Sequence, residues 1–423
     1  MSSAKDFLTR YGMNPELVDP GVYSRLIAED MMRGLEGKES FMPMIPTYLS
    51  NSGNVPKGEP VVVIDAGGTN FRCALLTFTD QGYELEGLQK ALMPGIEKPA
   101  TWNDFISFTA DHILPFMDRT DKIGFCFSYS ADITPEIDGK VNRIDKEVVI
   151  QDSEGMLVGR SLSDELSQRG FPGKRVIVLN DTAAVLLGGS ASLDKAQYSG
   201  FVGQVSGTGT NTCCIVSMDR IRKLGRTEEN RIIVNMEAGL YAGIRQGVFD
   251  RILDQQSHNP GLKIFEKQTA GVYLGELVRL MIGQAAEDGL IAKQTKEKVY
   301  ELGKINSAVI DNWAGGGSLD TICSSEEDRD FIREISLSMF DRSARCMCSD
   351  LLGIALFTGD GEQSGKPLCV CAEGSLVQKS RYYRPFLEKY LAEYSSRFGK
   401  QIELRIGNES TLPGSTAAAL LNV

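Results

Sequence analysis

The sequence predicts a helix-rich α/β protein in two lobes. Short apolar runs such as VVVID (61–65) and KRVIVLND (174–181) alternate with longer segments of helical periodicity. The chain has 423 residues, 42% of them hydrophobic, enough for two cores, since single cores stop growing near about 250–300 residues. Two of the apolar runs also end in small-residue Gly-Thr turns set far apart in the chain.

From Gly21 to Gly37, the residues Val22, Leu26, Ile27, Met31 and Leu35 recur at helical spacing. FMPMIPTYL (41–49) reads as an extended, Pro-punctuated connector and residues 51–59 as a polar loop. Strands are expected at 61–65, 71–78, 122–130, 174–181 and 199–207, with helices at 102–119 and 182–192. Further helices are expected at 247–255, 271–289 and 326–353. LCVCAEGS (368–375) reads as a strand ending in a turn, and STAAALLNV (415–423) as a closing helix. Strands mixed with helices in this way point to sheets covered on their faces. VVVIDAGGTNFRCALL (61–76) and FVGQVSGTGTNTCCIV (201–216) share one strand–turn–strand form, as a duplicated lobe would produce.

Composition removes several classes. Net charge is −11 and no Lys/Arg cluster stands out, whereas a sequence-independent grip on nucleic acid needs a concentrated basic surface. No apolar run reaches the roughly 20 residues of a membrane span. The first residues, MSSAKDFLTRYGMNPEL, show neither a secretory nor a transit pattern, so a cytoplasmic location is expected. Nine cysteines include no C-x-x-C pair, and His112 and His258 are the two histidines. A structural zinc site is therefore not expected, and free thiols suit a reducing compartment.

The chemistry concentrates at strand ends. In DAGGTN (65–70), Gly67 and Gly68 permit a tight hairpin with uncovered N–H groups for phosphate oxygens. Thr69 and Asn70 add polar side chains, Arg72 a cation, and Asp65 a carboxylate able to hold a water of a Mg²⁺ shell. An ordinary glycine hairpin accounts for this turn alone equally well. SGTGTN (206–211), with Gly207, Thr208 and Gly209, supplies the second clamp a triphosphate held between lobes would need. Neither turn is a Walker A loop or a Rossmann fingerprint. GDGEQSGKP (359–367) has the wrong spacing and Pro367 where a Ser/Thr would stand, so it reads as an exposed loop. Asn180, Asp181, Asn235, Glu237 and Glu266 form a set of amides and carboxylates suited to hydroxyl-rich ligands. A carboxylate that reaches a hydroxyl can act as general base. Taken singly, Asp181 could instead cap the following helix, and Glu237 or Glu266 could be solvated surface charges.

Several segments, in order, resemble the eukaryotic-type hexokinase family over about residues 20–423. They are MIPTYL (44–49), DAGGTNFR (65–72), GFCFSYS (124–130), VLNDT (178–182), SGTGTN (206–211), NMEAG (235–239), FEKQTAGVYLGELVRL (265–280) and AEGSLVQKSRYYRPFLE (372–388). The resemblance implies a two-lobed actin-like ATPase (ribonuclease H-like) fold with a cleft between a small domain, 59–182 plus 409–423, and a large one, 1–58 plus 183–408. It implies ATP-dependent phosphorylation of a hexose, glucose foremost, at the 6-hydroxyl, with Asp181 as base and closure of the lobes on the sugar. Ser128, Lys146, Asn180, Asn235, Glu237 and Glu266 become sugar contacts. Asp65, Gly67, Gly68, Thr69, Asn70, Arg72, Gly207, Thr208, Gly209, Gly374 and Ser375 become the attendants of Mg-ATP.

The chain departs from the family pattern around the sugar. Ser130 stands where the family has Pro, Asp145 where it has Thr, Ala238 where it has Trp, and Lys263 where it has Gln. Gly414, Ser415 and Thr416, near the end of the chain, are expected to approach adenine or phosphate. Two alternatives keep the fold: a non-catalytic sugar sensor, and an actin-like ATPase module that needs no sugar.

Overall fold

The computed structural model describes residues 4–144, 148–363 and 365–422. In chain order its strands are β1 (Ile45–Pro46), β2 (Pro60–Gly67), β3 (Asn70–Thr79), β4 (Gly82–Leu92), β5 (Ala100–Thr101), β6 (Lys122–Phe127), β7 (Ser130–Ile133), β8 (Gly139–Arg143), β9 (Ile150–Gln151), β10 (Arg175–Leu179), β11 (Gly200–Ser206), β12 (Thr210–Ser217), β13 (Arg231–Asn235), β14 (Leu368–Glu373) and β15 (Ile402–Ile406).

Two principal sheets share one topology. The first is ordered β10-β6-β2-β3-β4; the second is β15-β14-β11-β12-β13 with β1 added at its edge. In each, three strands meander antiparallel and two parallel strands follow on the other side of the first. Each Gly-Thr turn joins the first two strands of its sheet, so the likeness of the two turns extends to the lobes that carry them.

Alternation along the strands divides three apolar layers. Val61 and Val63 of β2 face a middle layer, while Val62 and Ile64 face an outer one with Trp102, Phe105, Phe125 and Phe127. A strand buried on both faces reads as a continuous apolar run, which is why VVVI shows no period of two. The parallel step to β6 needs a crossover, and the helix Trp102–Ile113 supplies it. A capping box starts that helix: Asp104 N–H donates to Thr101 Oγ1 at 3.1 Å, and Thr101 N–H to the Asp104 carboxylate at 2.8 Å. On the far side of the second sheet, Val202, Cys214 and Val216 pack with the long helix Glu326–Thr358.

The lobes are tied by an exchange of helices. The helix Asp181–Ser190, which follows the last strand of the first sheet, packs on β11, β12 and β14 of the second. The helix Thr411–Asn422, which follows the last strand of the second sheet, packs on β2, β6 and β10 of the first. The two helices cross in backbone contact. A Cβ at Gly414 would lie 1.9 Å from the Ala184 carbonyl oxygen, and one at Gly188 would lie 2.3 Å from that of Ser410. The expectation that Gly414, Ser415 and Thr416 approach adenine or phosphate is therefore corrected. All three are buried, and the Ser415 and Thr416 hydroxyls donate to the Thr411 and Leu412 carbonyls at 2.9 and 3.1 Å.

Other differences have local causes. The strand expected over 122–130 stops at Phe127, because β2 pairs only as far as Ala66↔Phe127 before turning into its hairpin. Ser130–Ile133 then joins a separate two-stranded sheet with β8. The polar, largely exposed β4 shows no apolar face and was not expected; it is held as an edge strand by its antiparallel partner β3.

One charge pair is fully enclosed. Arg342 donates to both Asp250 oxygens at 2.9 and 2.6 Å, each side chain being 3% exposed or less. Asp250 also accepts from Gly247 N–H at 2.7 Å. Removing one partner of such a pair strands a buried charge. Arg342→Met is expected to lower stability by about 3–5 kcal/mol in chemical denaturation; a loss below about 1 kcal/mol would show that Asp250 finds another partner.

Candidate active site

The first turn is a hairpin with register Gly67↔Asn70. Gly68 takes φ 58°, a left-handed conformation that suits glycine. The turn is braced from β6 and the residues after it: Ser128 N–H donates to Ala66 O at 3.0 Å, and Tyr129 hydroxyl to Gly68 O at 2.7 Å. A Cβ at Gly67 would fall 2.8 Å from Ser128 Oγ, so the expected sugar contact Ser128 lies directly on the expected phosphate turn. Thr69 is half-buried and Asn70 exposed at the tip. Arg72 is not left to phosphate alone. It sits opposite Asp65 in the ladder and donates to its Oδ2 from Nε at 3.0 Å and Nη2 at 2.5 Å.

The second turn gathers three further segments. Gly207 O accepts from Gly271 N–H, at the start of the helix Gly271–Glu287, at 2.8 Å. A Cβ at Gly207 would lie 3.2 Å from Ser375 N, and one at Gly374 2.3 Å from Ser206 O. Gly374, at φ 120°, thus closes against the turn as no larger residue can. Glu266 meets the same turn from the other side. Its Oε2 accepts from Thr210 N–H at 3.3 Å and lies 3.0 Å from where a Gly209 Cβ would be. Thr208 stands exposed at the tip.

Asp181 opens its helix but does not cap it. The cap is Asn180, extended at φ −86° and ψ 166°, whose Oδ1 accepts from Ala183 N–H at 3.0 Å. The half-buried Asp181 carboxylate is thereby relieved of capping, and a negative charge in the first turn suits the helix dipole. Thr182 hydroxyl donates to Asp181 Oδ1 at 3.2 Å.

The acceptors on the second lobe are organised by a residue not singled out from the sequence. Asn211, last of SGTGTN, donates to Asn235 Oδ1 at 2.9 Å and accepts from Ala238 N–H at 3.1 Å. Asn235 in turn donates to Glu237 Oε1 at 2.7 Å. Glu237 is no solvated surface charge: it keeps part of its surface open, but its carboxyl is desolvated and its backbone is left-handed at φ 56°. Glu266 lies within a short helix, Ile264–Thr269, and Lys263 Nζ stands 3.6 Å from its Oε1. Lys146 lies outside the described residues.

Electrostatics ties the groups together. Burial pushes the Asp65 carboxyl above its usual value, Arg72 opposes this, and the Asp181 charge adds to it. Burial likewise pushes Glu237 up; Asn235 opposes, and Asp181 and Glu266 reinforce. The charge of Asp181 is thus felt both at Asp65, ahead of the first turn, and at Glu237, in the acceptor set. Asp65, with one oxygen held by Arg72, fits an outer partner of Mg²⁺, a hard cation that keeps several waters and takes few carboxylates.

Beneath the acceptors, Asp350 is fully buried on the long helix and accepts from Thr212 hydroxyl at 2.9 Å. Burial raises its carboxyl to about 7. The one sequence signal was a carboxylate in the apolar run CSDLLGIALF (348–357).

Two family models described as hexokinase match the chain, one over residues 19–191 and the other over 201–421. Glucokinase-1 of Saccharomyces cerevisiae is 28% identical over 333 residues, 68% of this chain and 66% of that protein. Hexokinase-2 of Schizosaccharomyces pombe is 24% identical over 426 residues, 92% of this chain and 90% of that one. Among solved structures, a Schistosoma mansoni hexokinase complexed with glucose shares the fold at TM-score 0.77 and 20% identity, covering 99% of each chain. Another hexokinase does so at 0.82 and 19%, covering 100% of each. A putative sugar kinase from Cytophaga hutchinsonii matches at 0.51 and 15% identity, covering 84% of this chain and 98% of its own.

Asp350 makes a prediction about pH. An unfolded aspartate releases its proton near 3.8, whereas the folded one holds it to about 7. The native state therefore binds more protons between these values, and the stability present at low pH is lost as pH rises through about 7. Asp350→Asn removes that dependence. Its melting temperature relative to the unmodified protein should rise between about pH 5 and about pH 8; a constant difference would contradict the assignment.

Proposed function

The chain belongs to the hexokinase family, and we propose that it carries the terminal phosphoryl group of ATP to the 6-hydroxyl of a hexose, with Asp181 as general base. The observation that supports this most is the placement of Asp181, which follows the last strand of the sheet bearing the first turn and opens the helix packed on the strands that carry the second turn. Glucose is the expected sugar.

Phosphoryl transfer asks a protein for in-line positioning, charge stabilisation and exclusion of water more than for covalent chemistry. In this reading Ser128, Asn180, Asn235, Glu237 and Glu266, with Lys146, bind and orient the hexose through its hydroxyls. Asp181 takes the proton of the 6-hydroxyl as that oxygen attacks. The turns around Gly67–Thr69 and Gly207–Gly209 hold the phosphates, and Gly374–Ser375 the nucleoside end. Mg²⁺, bound with ATP and touched through water by Asp65, would supply charge neutralisation at the phosphates.

The domains proposed are 59–182 with 409–423, and 1–58 with 183–408, closing on the sugar to exclude water that would otherwise accept the phosphoryl group. The exchange of helices at residues 181–190 and 411–422 supports that division. No helix among the described residues is long and apolar enough to cross a membrane. A cytoplasmic, glycolytic role without nucleic acid or membrane partners is part of the same proposal.

The direct test is ADP release over a panel of hexoses, with and without Mg²⁺; no sugar-dependent release with any hexose would overturn the proposal. Asp181→Ala should lower kcat by about 10²–10⁴-fold, with sugar affinity largely kept. Normal turnover in that variant would sink the base assignment. Thr208→Val should raise KM for ATP and leave that for sugar near its starting value, and unchanged ATP kinetics would remove Thr208 from the phosphate site.

A further inference from the structure

Lys263 and Glu237, two of the positive-φ residues that are not glycine, stand at the same acceptor set. Lys263 has φ 55° and ψ 41°, and Glu237 has φ 56° and ψ 45°. Left-handed backbone is unfavourable for long side chains and persists where the surroundings impose it, often at functional sites. The surroundings of Lys263 do impose it. Lys267, 2% exposed, donates to the Asp254 carboxylate at 2.6 Å and to Asn259 O at 2.9 Å. Gly261 N–H donates to both Asp254 oxygens at 3.0 Å, and Lys267 N–H to Lys263 O at 3.0 Å. These bonds clamp residues 254–263 and present Lys263 at the edge of the acceptor set.

The ammonium so placed meets the carboxylates. Its Nζ lies 3.6 Å from Glu266 Oε1, with the lysine side chain 40% exposed and that of Glu266 15%. Its charge also reaches Glu237, where it opposes the effect of Asp181 and Glu266. Without it, three carboxylates would face an entering ligand with no other cation paired to Glu266 among the described residues, a field that favours an ammonium. With it, a ligand ammonium approaching Glu266 must displace Lys263 or sit beside a like charge.

We propose that Lys263 is a specificity-determining positioning residue: paired with Glu266, it makes the site select neutral hexoses and disfavour hexosamines in their cationic form. The inference rests on the reading of Glu237 and Glu266 as sugar acceptors. A neutral hydroxyl can donate to Glu266 while the ion pair stays intact, because a carboxylate has several acceptor positions.

The test compares the unmodified protein with Lys263→Met and Lys263→Arg. Substrates are the 2-amino and 3-amino derivatives of glucose, each with its matching deoxyglucose as the neutral control, at about pH 6.5, where an aliphatic amine is charged. kcat/KM is read from ADP release and Kd from titration calorimetry, so that a variant that binds but turns over poorly still reports. The amino-over-deoxy preference of at least one isomer should rise by about tenfold or more in Lys263→Met, as expected for removing one cation from a partly desolvated site. Lys263→Arg should restore the original preference. An unchanged preference in Lys263→Met, or an arginine variant that behaves like methionine, would overturn the role of Lys263 while leaving the kinase reading intact. Failure of the unmodified protein to use any neutral hexose would instead overturn that reading, and this inference with it.

Discussion

The backbone contact between the helices Asp181–Ser190 and Thr411–Asn422 is the constraint on which the remaining geometry depends. Each helix belongs by sequence to one sheet and packs on the other, so neither lobe completes its inner face without the second. The contact needs small residues on both sides, and both helices supply them, with Ala183, Ala184 and Gly188 on one and Gly414, Ala417 and Ala418 on the other. At Gly414, any larger residue would collide with the Ala184 carbonyl. That packing places the first turn of one helix, and with it Asp181, at the junction of the lobes. The backbone of Asp181 is held there by the helix crossing, and its carboxylate accepts from Thr182 hydroxyl at 3.2 Å.

Around that junction the molecule concentrates negative charge in a poorly solvated place. Burial alone would favour neutral carboxyls, and each buried group has a counterweight. Arg72 answers Asp65, the Asn211–Asn235 relay answers Glu237, and Lys263 stands against Glu266. These partners do two things at once. They oppose the effect of burial at Asp65 and Glu237, and they fix where the oxygens point, which is the preorganisation that electrostatic recognition requires. Asp350 is the exception, with Thr212 hydroxyl against it and a proton held to about 7.

Legibility followed physical locality. The two Gly-Thr turns could be read because a tight hairpin demands small residues at adjacent positions. The long helix from Glu326 could be read because its apolar residues recur without interruption. The edge strand β4 was hidden, since an exposed strand owes its conformation to the neighbouring ladder and carries no apolar face. The end of β6 was hidden for a related reason: residues 128–130 carry no turn signal, but the partner strand has already turned away at Phe127. Among site residues, Asn211 lay inside a motif that was recognised, yet its task is to hold Asn235, a relation between two strands that no single segment displays.

By itself the sequence determined the α/β class, the pair of phosphate-type turns, the strand-end acceptors and the resemblance that joins them into a sugar kinase. Each of these is a property of short segments, written in residue size, charge and spacing. Tertiary structure alone decided that Asn180, and not Asp181, caps its helix. It decided that Gly414–Thr416 serve the helix crossing instead of the nucleotide, and that Lys263 stands against Glu266. Those outcomes depend on which backbones meet across the fold. Such meetings are set by packing between segments distant in the chain, where local propensity has no information to offer.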